Sequence, residues 1–246
     1  MTLSLIYGAD ATGKSLHCKT LCEASETPLY ISLELKNRRM LSLDARTGAM
    51  TKDTPFDVFE AIVLEKTPKF NTDLIATYNK LGEVLEKILN NKGFDGKPKH
   101  YDVVVIDGVS DLSKMAEKIV IKELQKKQST RQEIGKNDLA SWEVRNNLAC
   151  MPLERLANWA QIESVHVIVT SLLTGEYVND TKVGYKIAVQ DRIKEKASAI
   201  RVKLLKDGRG YIADFEKVPN WANDGDQTVK VMRGGLVAEF GKRGLL

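Results

Sequence analysis

Short runs of apolar residues alternate along the chain with longer segments in which apolar residues recur every three or four positions. Short runs of this kind are typical of buried strands, and the longer periodic segments are typical of helices with one apolar face. Their alternation predicts an α/β fold in which a mostly parallel sheet is flanked by helices. The predicted strands are Leu3–Tyr7, Leu29–Leu35, Ala61–Leu64, Val103–Ile106, Val165–Val169 and Ile200–Leu205.

The periodic segments between these strands predict three helices. The first extends from residue 74 to residue 89, and Gly93 is expected to end it in the usual position of a helix-terminating glycine. The second follows Asp107. The third covers roughly residues 141–162, and Pro152 should kink or divide it because proline lacks the N–H that a helix interior needs.

Two polar segments, 128–139 and 174–196, have no regular apolar period and are therefore predicted to be loops. Residues 1–219 are predicted to form one domain. The glycine-rich tail, residues 220–246, is expected to pack on that domain or on a neighbouring subunit.

Composition narrows the class of protein. The chain has 246 residues, of which 43% are hydrophobic, so a sizeable core is expected. Three cysteines do not form a disulfide framework and fit a reducing compartment. No apolar run approaches the ~20 residues of a membrane span, so we expect a cytoplasmic protein without a membrane partner, in the host cytoplasm if the protein is viral. The net charge of +4 permits a nucleic acid partner without requiring one.

A glycine-rich motif directly follows the first predicted strand. Its residues match the Walker A pattern, in which backbone N–H groups and the next helix N-terminus bind phosphates. Lys14 can reach the β- and γ-phosphates of ATP, and the Ser15 hydroxyl can ligate Mg²⁺, whereas the Asp10 side chain is expected to face solvent. The predicted nucleotide-binding residues are Gly8, Ala9, Asp10, Ala11, Thr12, Gly13, Lys14, Ser15 and Leu16.

Two carboxylates follow other predicted strands. Asp107 ends a strand of the Walker B type, where it would hold Mg²⁺ beside Ser15. Glu34 ends the predicted second strand, where P-loop ATPases with an added strand carry the glutamate that polarises the attacking water. The alternative for Glu34 is a surface acid at a strand end.

The order of these parts resembles RecA-type recombinases and DnaB-type replicative helicases. The resemblance rests on the Walker A motif, on Ile31-Ser32-Leu33-Glu34-Leu35, on the segment from Val103 to Leu112 and on the strand His166 to Ser171. It is strongest to the small nucleotide-binding proteins of phages and mobile elements, some of which are single-strand recombinases. It implies a RecA-like P-loop NTPase core, DNA-stimulated ATP hydrolysis, a role in DNA recombination or replication, and a homo-oligomeric ring or filament.

The resemblance also implies roles for individual residues. Thr170 and Ser171 occupy the end of the strand that carries a γ-phosphate sensor in the family. The two polar segments correspond in order to the loops that contact single-stranded DNA in the family. Tyr177 and Tyr185 could stack on the DNA bases. The candidate DNA-binding cations are Lys136, Lys182, Lys186, Arg192, Lys194 and Lys196, although acidic neighbours dilute their charge.

A C-terminal β-hairpin is predicted around the segment from Lys206 to Gly210. Lys206 and Arg209 resemble the basic finger that helicase-like members insert into a neighbouring subunit's ATP site, with a spacing that differs by one residue. The alternative is an ordinary basic turn. Two other functions stay open: a nucleotide-gated switch or assembly ATPase without a nucleic acid partner, and a P-loop kinase, which Glu34 disfavours.

Several other polar or aromatic residues are interpreted as structural. Cys18 and Cys22 lie four residues apart and are predicted to face the core, because the scattered histidines offer no metal-ligand spacing. Trp142 and Trp159 are interpreted as packing residues. A lysine series is predicted to form one solvated helix face, and the alternative is that it contributes to DNA binding. Its members are Lys114, Lys118, Lys122, Lys126 and Lys127.

Overall fold

The computed structural model describes residues 3–34, 41, 54, 56–65, 71–93, 96–127, 139–178, 181–223 and 225–245. The described helices are α1 (Lys14–Glu23), α2 (Leu74–Leu89), α3 (Leu112–Lys127), α4 (Leu139–Ile162) and α5 (Leu236–Lys242). A 3₁₀ turn, Val109–Asp111, precedes α3, and a π-helical segment, Arg192–Ala197, follows the sixth strand. The strands are β1 (Leu3–Gly8), β2 (Pro28–Ser32), β3 (Asp57–Glu60), β4 (Val103–Asp107), β5 (His166–Val178), β6 (Thr181–Ile187), β7 (Ser198–Asp207), β8 (Gly210–Lys217) and β9 (Thr228–Val231).

The sheet is mostly parallel, as the alternation of apolar runs predicts. Its order across the described strands is β3-β2-β4-β5-β1-β7-β8-β9, and β6 pairs with β5 outside this path. The pairs from β3 to β7 are all parallel, whereas β8 and β9 add antiparallel strands at one edge. The strand that precedes the glycine-rich loop and the strand that ends in Asp107 are therefore separated by β5 alone.

The core has two layers, one on each face of the sheet. Strands buried on both faces are apolar at nearly every position, which explains why the short runs lack alternation. One layer joins strand residues such as Leu5 and Val104 to α2, α3 and α4. The other joins Ile6 and Val105 to α1 and to α5, where Phe240 is fully buried. Burial of each such side chain contributes about 1.5–3 kcal/mol.

The C-terminal residues extend this second layer. The strand β9 pairs with β8, and Leu236 and Phe240 of α5 belong to the same buried cluster as Cys18 and Leu21 of α1. The division of the chain at residue 219 stays a prediction.

One helix prediction needs a correction. The helix α2 ends at Leu89 and is followed by Asn90 and Asn91, which has a φ of 51°, so Gly93 is not its terminator. Asparagine tolerates this left-handed conformation better than most residues. Pro152 lies inside α4, which is continuous from Leu139 to Ile162, so the proline does not divide the helix, and a kink stays a prediction.

Three strand and loop predictions were also wrong. The predicted strand at residues 61–64 lies just before those residues, at Asp57–Glu60, where all four side chains are half-buried on the outer parallel strand. The second strand was predicted to extend to Leu35, but it ends at Ser32. Most of the predicted loop 174–196 is an antiparallel hairpin of β5 and β6 followed by the π-helical segment. Val183, Tyr185 and Ile187 of β6 alternate with Lys182, Gly184 and Lys186, so the period of a strand is present there and was missed. Of the predicted loop 128–139, only Leu139 is described, and it begins α4.

In the part of the chain that is described, no helix is both long and apolar enough to cross a membrane.

Candidate nucleotide site

The glycine-rich loop between β1 and α1 curls tightly. A Cβ placed on Gly8 would lie 2.4 Å from the carbonyl oxygen of Leu204, so only glycine lets β1 and β7 approach this closely here. Gly13 precedes α1 with a φ of +79°, a conformation that disfavours side chains. A Cβ placed on Gly13 would lie 2.8 Å from the ring of Tyr211. The loop therefore requires glycine at both positions of the motif.

Lys14, the first residue of α1, is buried within the loop. Its ammonium nitrogen Nζ donates to the carbonyl oxygens of Ala9 at 2.7 Å and Gly8 at 3.2 Å. Thr12 Oγ1 lies 3.4 Å from the same nitrogen and donates to the Ala9 carbonyl. A cation and the N-terminus of α1 are thus brought to the same concave surface, and both favour bound phosphate.

The loop, the carboxyl ends of β2 and β4, and the middle of β5 line one cavity of about 360 Å³. Ligands of open α/β sheets bind at this edge because the strand ends and helix N-termini converge there. Glu34, Asp107 and Ser171 line this cavity together with Lys14 and Ser15. The described lining residues are Asp10, Ala11, Thr12, Gly13, Lys14, Ser15, Leu16, Glu34, Asp107, Gly108, Ser110, Thr170, Ser171 and Leu172.

The Asp107 carboxylate is buried and is held from both sides. Its Oδ2 accepts a hydrogen bond from the Tyr30 hydroxyl of β2 at 2.5 Å, and its Oδ1 accepts one from the Thr170 hydroxyl of β5. Burial and the adjacent Asp107 charge raise the pKa of Tyr30 well above its ordinary value of 10.0, so the phenol stays a donor.

Glu34 contacts the residue that follows Asp107. A Cβ on Gly108 would lie 2.6 Å from Cγ of Glu34, and Gly108 has a φ of +97°. The Gly108 N–H donates to Thr170 Oγ1 at 2.9 Å. Thr170 therefore links Gly108 to Asp107, and Glu34 lies against the same short segment. The alternative of a surface acid does not fit Glu34, since it is half-buried and lines the cavity.

Ser171 follows Thr170 in β5 and also lines the cavity. Its hydroxyl lies 3.4 Å from that of Ser110, and Ser110 Oγ accepts from the Leu172 N–H at 2.7 Å. Thr170 and Ser171 do not end their strand, contrary to the prediction, because β5 continues to Val178. The γ-phosphate-sensing role of Ser171 stays a prediction.

The predicted finger is a real hairpin. Asp207 pairs with Gly210, so a two-residue turn joins β7 to β8. Arg209 lies in this turn, Lys206 lies near the end of β7, and both are exposed. Since Gly8 pairs with Leu204 of the parallel strand β7, the turn extends past the glycine-rich loop at the same sheet edge. Neither basic residue is among the described residues that line the cavity.

The predicted DNA-binding cations have different surroundings. Lys186 is exposed on β6, where Tyr185 is 65% exposed. Lys194 forms ion pairs with Asp191 at 2.9 Å and Glu195 at 3.2 Å, which raise its pKa. Arg192 donates to Asn147 and Glu154 of α4. Lys136 lies outside the described residues, and for Lys182, Lys196 and Tyr177 only the backbone is described.

Most residues interpreted as structural lie where the sequence predicts. Cys18 and Cys22 are buried in the core. Among the described residues, no group of three or more potential metal ligands occurs. Trp159 is 7% exposed and packs in the core, whereas Trp142 is 55% exposed with Arg145 over its ring, so its packing role was wrong. Of the lysine series, Lys114, Lys118 and Lys122 are exposed, as predicted.

These features fit a nucleotide with Mg²⁺. The cavity joins a phosphate-binding loop and lysine to the buried carboxylate of Asp107. One carboxylate and one hydroxyl suffice, because Mg²⁺ keeps several waters and takes its other ligands from the phosphates. A family model described as an AAA domain matches residues 3–201, and the chain belongs to this family. It is an ATPase-type domain of the P-loop class. No curated protein matches the chain.

Sequence reasoning missed three residues that line the cavity, Gly108, Ser110 and Leu172, and also Tyr30, which donates to Asp107 from behind. Gly108 follows the predicted metal-binding aspartate directly, and that position was the available signal. Tyr30 gave a weaker signal, since it is a polar-tipped aromatic residue within an otherwise apolar strand.

Proposed function

We propose that the protein is a RecA-like ATPase that hydrolyses ATP while acting on single-stranded DNA, in recombination or replication. Glu34 orients the attacking water, and Lys14 neutralises charge on the transferred phosphoryl group. Ser15 and Asp107 are the residues that would hold Mg²⁺, which when bound neutralises phosphate charge. Ser171 responds to the γ-phosphate from the neighbouring strand.

One observation supports the coupling of ATP to DNA most directly. The strand β5 contributes Thr170 and Ser171 to the nucleotide cavity and then continues without interruption to Val178, as the first strand of the hairpin with β6. A displacement of Thr170 or Ser171 would be transmitted along β5 to Thr174 and Gly175, which pair with the exposed residues Lys186 and Tyr185 of β6. These two side chains offer a stacking surface and a cation, the two elements of single-strand binding.

In the proposed oligomer, a neighbouring subunit supplies a further cation to the site. Within the described residues, the cavity lining includes one basic side chain, that of Lys14. Lys206 and Arg209 extend past the same sheet edge without lining their own cavity. A neighbouring subunit in a ring or filament would present them to the γ-phosphate, where such a cation increases the rate by about 10³–10⁵.

The test is ATP turnover with and without single-stranded DNA, in low and moderate salt. We expect stimulation by DNA and an affinity that falls as salt rises, because bound cations release counterions. Replacing both Lys182 and Lys186 of β6 by alanine should weaken DNA binding and leave ATP affinity unchanged. The matched control replaces Lys114 and Lys118, two exposed lysines of α3, and removes the same charge from another surface.

The alternative is a nucleotide-gated switch or assembly ATPase without a nucleic acid partner. The ion pairs of Lys194 and the contacts of Arg192 support it, because they already occupy two of the predicted DNA-binding cations. A lack of DNA binding at low salt, with an ATP analogue present, would favour this function and exclude the first one.

A further inference from the structure

Tyr30 and Asp107 share one face of two adjacent strands. In the parallel pairing of β2 and β4, Tyr30 lies opposite Val105 and Ser32 lies opposite Asp107. Tyr30 and Val105 both face the layer that contains α1, and Asp107, two residues beyond Val105, lies on the same side. The length of the tyrosine side chain spans this offset, and its hydroxyl ends 2.5 Å from Asp107 Oδ2.

The Tyr30 ring is fully buried and stacks on Phe56, with a centroid distance of 6.2 Å. Phenylalanine would fill almost the same volume without a polar atom. A hydroxyl buried in this way is costly unless it is hydrogen-bonded. The partner of this hydroxyl is the Asp107 carboxylate, and the contact to Asp107 is therefore the property that distinguishes tyrosine from phenylalanine at this position.

The two donors to Asp107 come from opposite sides. Tyr30 belongs to β2 and Thr170 to β5, and these are the two strands that flank β4 in the sheet. Because each donor engages a different oxygen, rotation of the carboxylate about its terminal bond would break both hydrogen bonds.

We propose that Tyr30 is a positioning residue that, together with Thr170, fixes the Asp107 carboxylate for the magnesium–nucleotide complex. The inference rests on the proposed function, since it assigns Mg²⁺ to Asp107. Tyr30 lies behind the carboxylate and is not among the described residues that line the cavity. It therefore acts through Asp107 and does not contact the nucleotide.

The experiment compares Tyr30→Phe with Tyr101→Phe in the full chain. Tyr101 is a matched control, because it is 1% exposed and its hydroxyl donates to the carboxylate of Asp57 at 3.0 Å, away from the cavity. Binding of a fluorescent ADP analogue is measured in EDTA and across a Mg²⁺ titration. For Tyr30→Phe we expect unchanged affinity in EDTA and about a tenfold higher Mg²⁺ concentration at half-maximal enhancement, the effect of one hydrogen bond to a charged group.

Tyr101→Phe should match the wild type in both conditions. A Tyr30→Phe variant with the wild-type Mg²⁺ requirement, or with equal losses in EDTA and Mg²⁺, would overturn the inference. If the wild type shows no Mg²⁺ enhancement at all, the proposed metal site itself fails, which is a separate result. Should Tyr30→Phe not fold, Thr170→Val removes the donor on the other side, and it must raise the Mg²⁺ requirement selectively for the inference to stand.

Discussion

Glu34 lies directly against Gly108, the residue that follows Asp107. A Cβ on residue 108 would lie only 2.6 Å from Cγ of Glu34. The Glu34 side chain therefore occupies space that is open only because residue 108 is glycine. This contact joins the end of β2 to the end of β4, and the Gly108 N–H extends it to Thr170 of β5. The absence of a side chain at residue 108 therefore determines where the carboxylate of Glu34 can lie.

Gly108→Ala should displace Glu34 and lower ATP turnover by about a hundredfold, since shifts of about 1 Å in a catalytic group have effects of this size. Nucleotide affinity should change little, because the glycine-rich loop is untouched. The φ of +97° should also cost about 1–2 kcal/mol of stability. Turnover, nucleotide titration and thermal unfolding measure the three effects.

Gly82→Ala is the matched control. Gly82 lies in α2, and a Cβ there would have no neighbour within 4 Å. This variant should gain about 0.5–1 kcal/mol of stability from helix propensity and keep wild-type turnover. Wild-type turnover in Gly108→Ala would show that the position of Glu34 does not limit hydrolysis.

Glu34→Gln should bind ATP normally and lose turnover by about a hundredfold or more, the range for a lost general base. Lys14→Ala should weaken both binding and turnover, because it removes a cation that faces the phosphates. Glu60→Gln provides the control, since Glu60 ends the adjacent parallel strand β3 and does not belong to the described cavity lining. Near-normal turnover in Glu34→Gln would remove Glu34 from the mechanism.

The parts of the site that the sequence predicts are those encoded within a few residues. The phosphate-binding loop is contiguous, so its glycines, lysine and serine are recognised together. Asp107 and Glu34 are recognised because parallel strands bring their carboxyl ends to one edge, whatever the exact pairing. Local patterns and the rule for parallel sheets were sufficient for both.

The contacts among these residues depend on the order of the strands, which the sequence does not provide. Tyr30 and Asp107 are 77 residues apart, and their hydrogen bond exists only because β2 pairs with β4 in one register. The hairpin of β5 and β6 was missed for another reason. Val183, Tyr185 and Ile187 of β6 alternate with Lys182, Gly184 and Lys186 over a few residues only, and this short strand period was missed within a polar segment, although Val183 and Tyr185 are largely exposed.

The ATP site is predicted to be shared between subunits. Arg209→Ala and Lys14→Ala should each be inactive alone, and mixing them should restore part of the turnover, because some interfaces then combine an intact loop with an intact finger. Activity per chain should also rise with protein concentration. A mixture that assembles and stays inactive, or a fully active dilute monomer, would leave Arg209 as a turn residue only.

The last prediction concerns stability in acid. His17 and His166 are buried, and burial lowers the pKa of each to about 4 from an ordinary value of 6.5. His17 Nδ1 accepts a hydrogen bond from the Leu236 N–H, so protonation of that nitrogen would also disrupt the contact between α1 and α5. His166 Nε2 is 2.7 Å from Ser4 Oγ.

Between pH 6.5 and pH 4 the unfolded chain binds protons at these histidines that the folded chain does not bind. The free energy of unfolding must therefore fall as the pH falls through this window. Over the whole window, each histidine accounts for a loss of about 3 kcal/mol. Urea unfolding at several pH values from 7 to 5 measures the slope. His17→Asn and His166→Gln should each reduce the slope of the unfolding free energy against pH by the equivalent of about one proton. This reduction is expected even if the substitution itself lowers the stability at every pH. If the double variant keeps the wild-type slope, other groups cause the acid sensitivity.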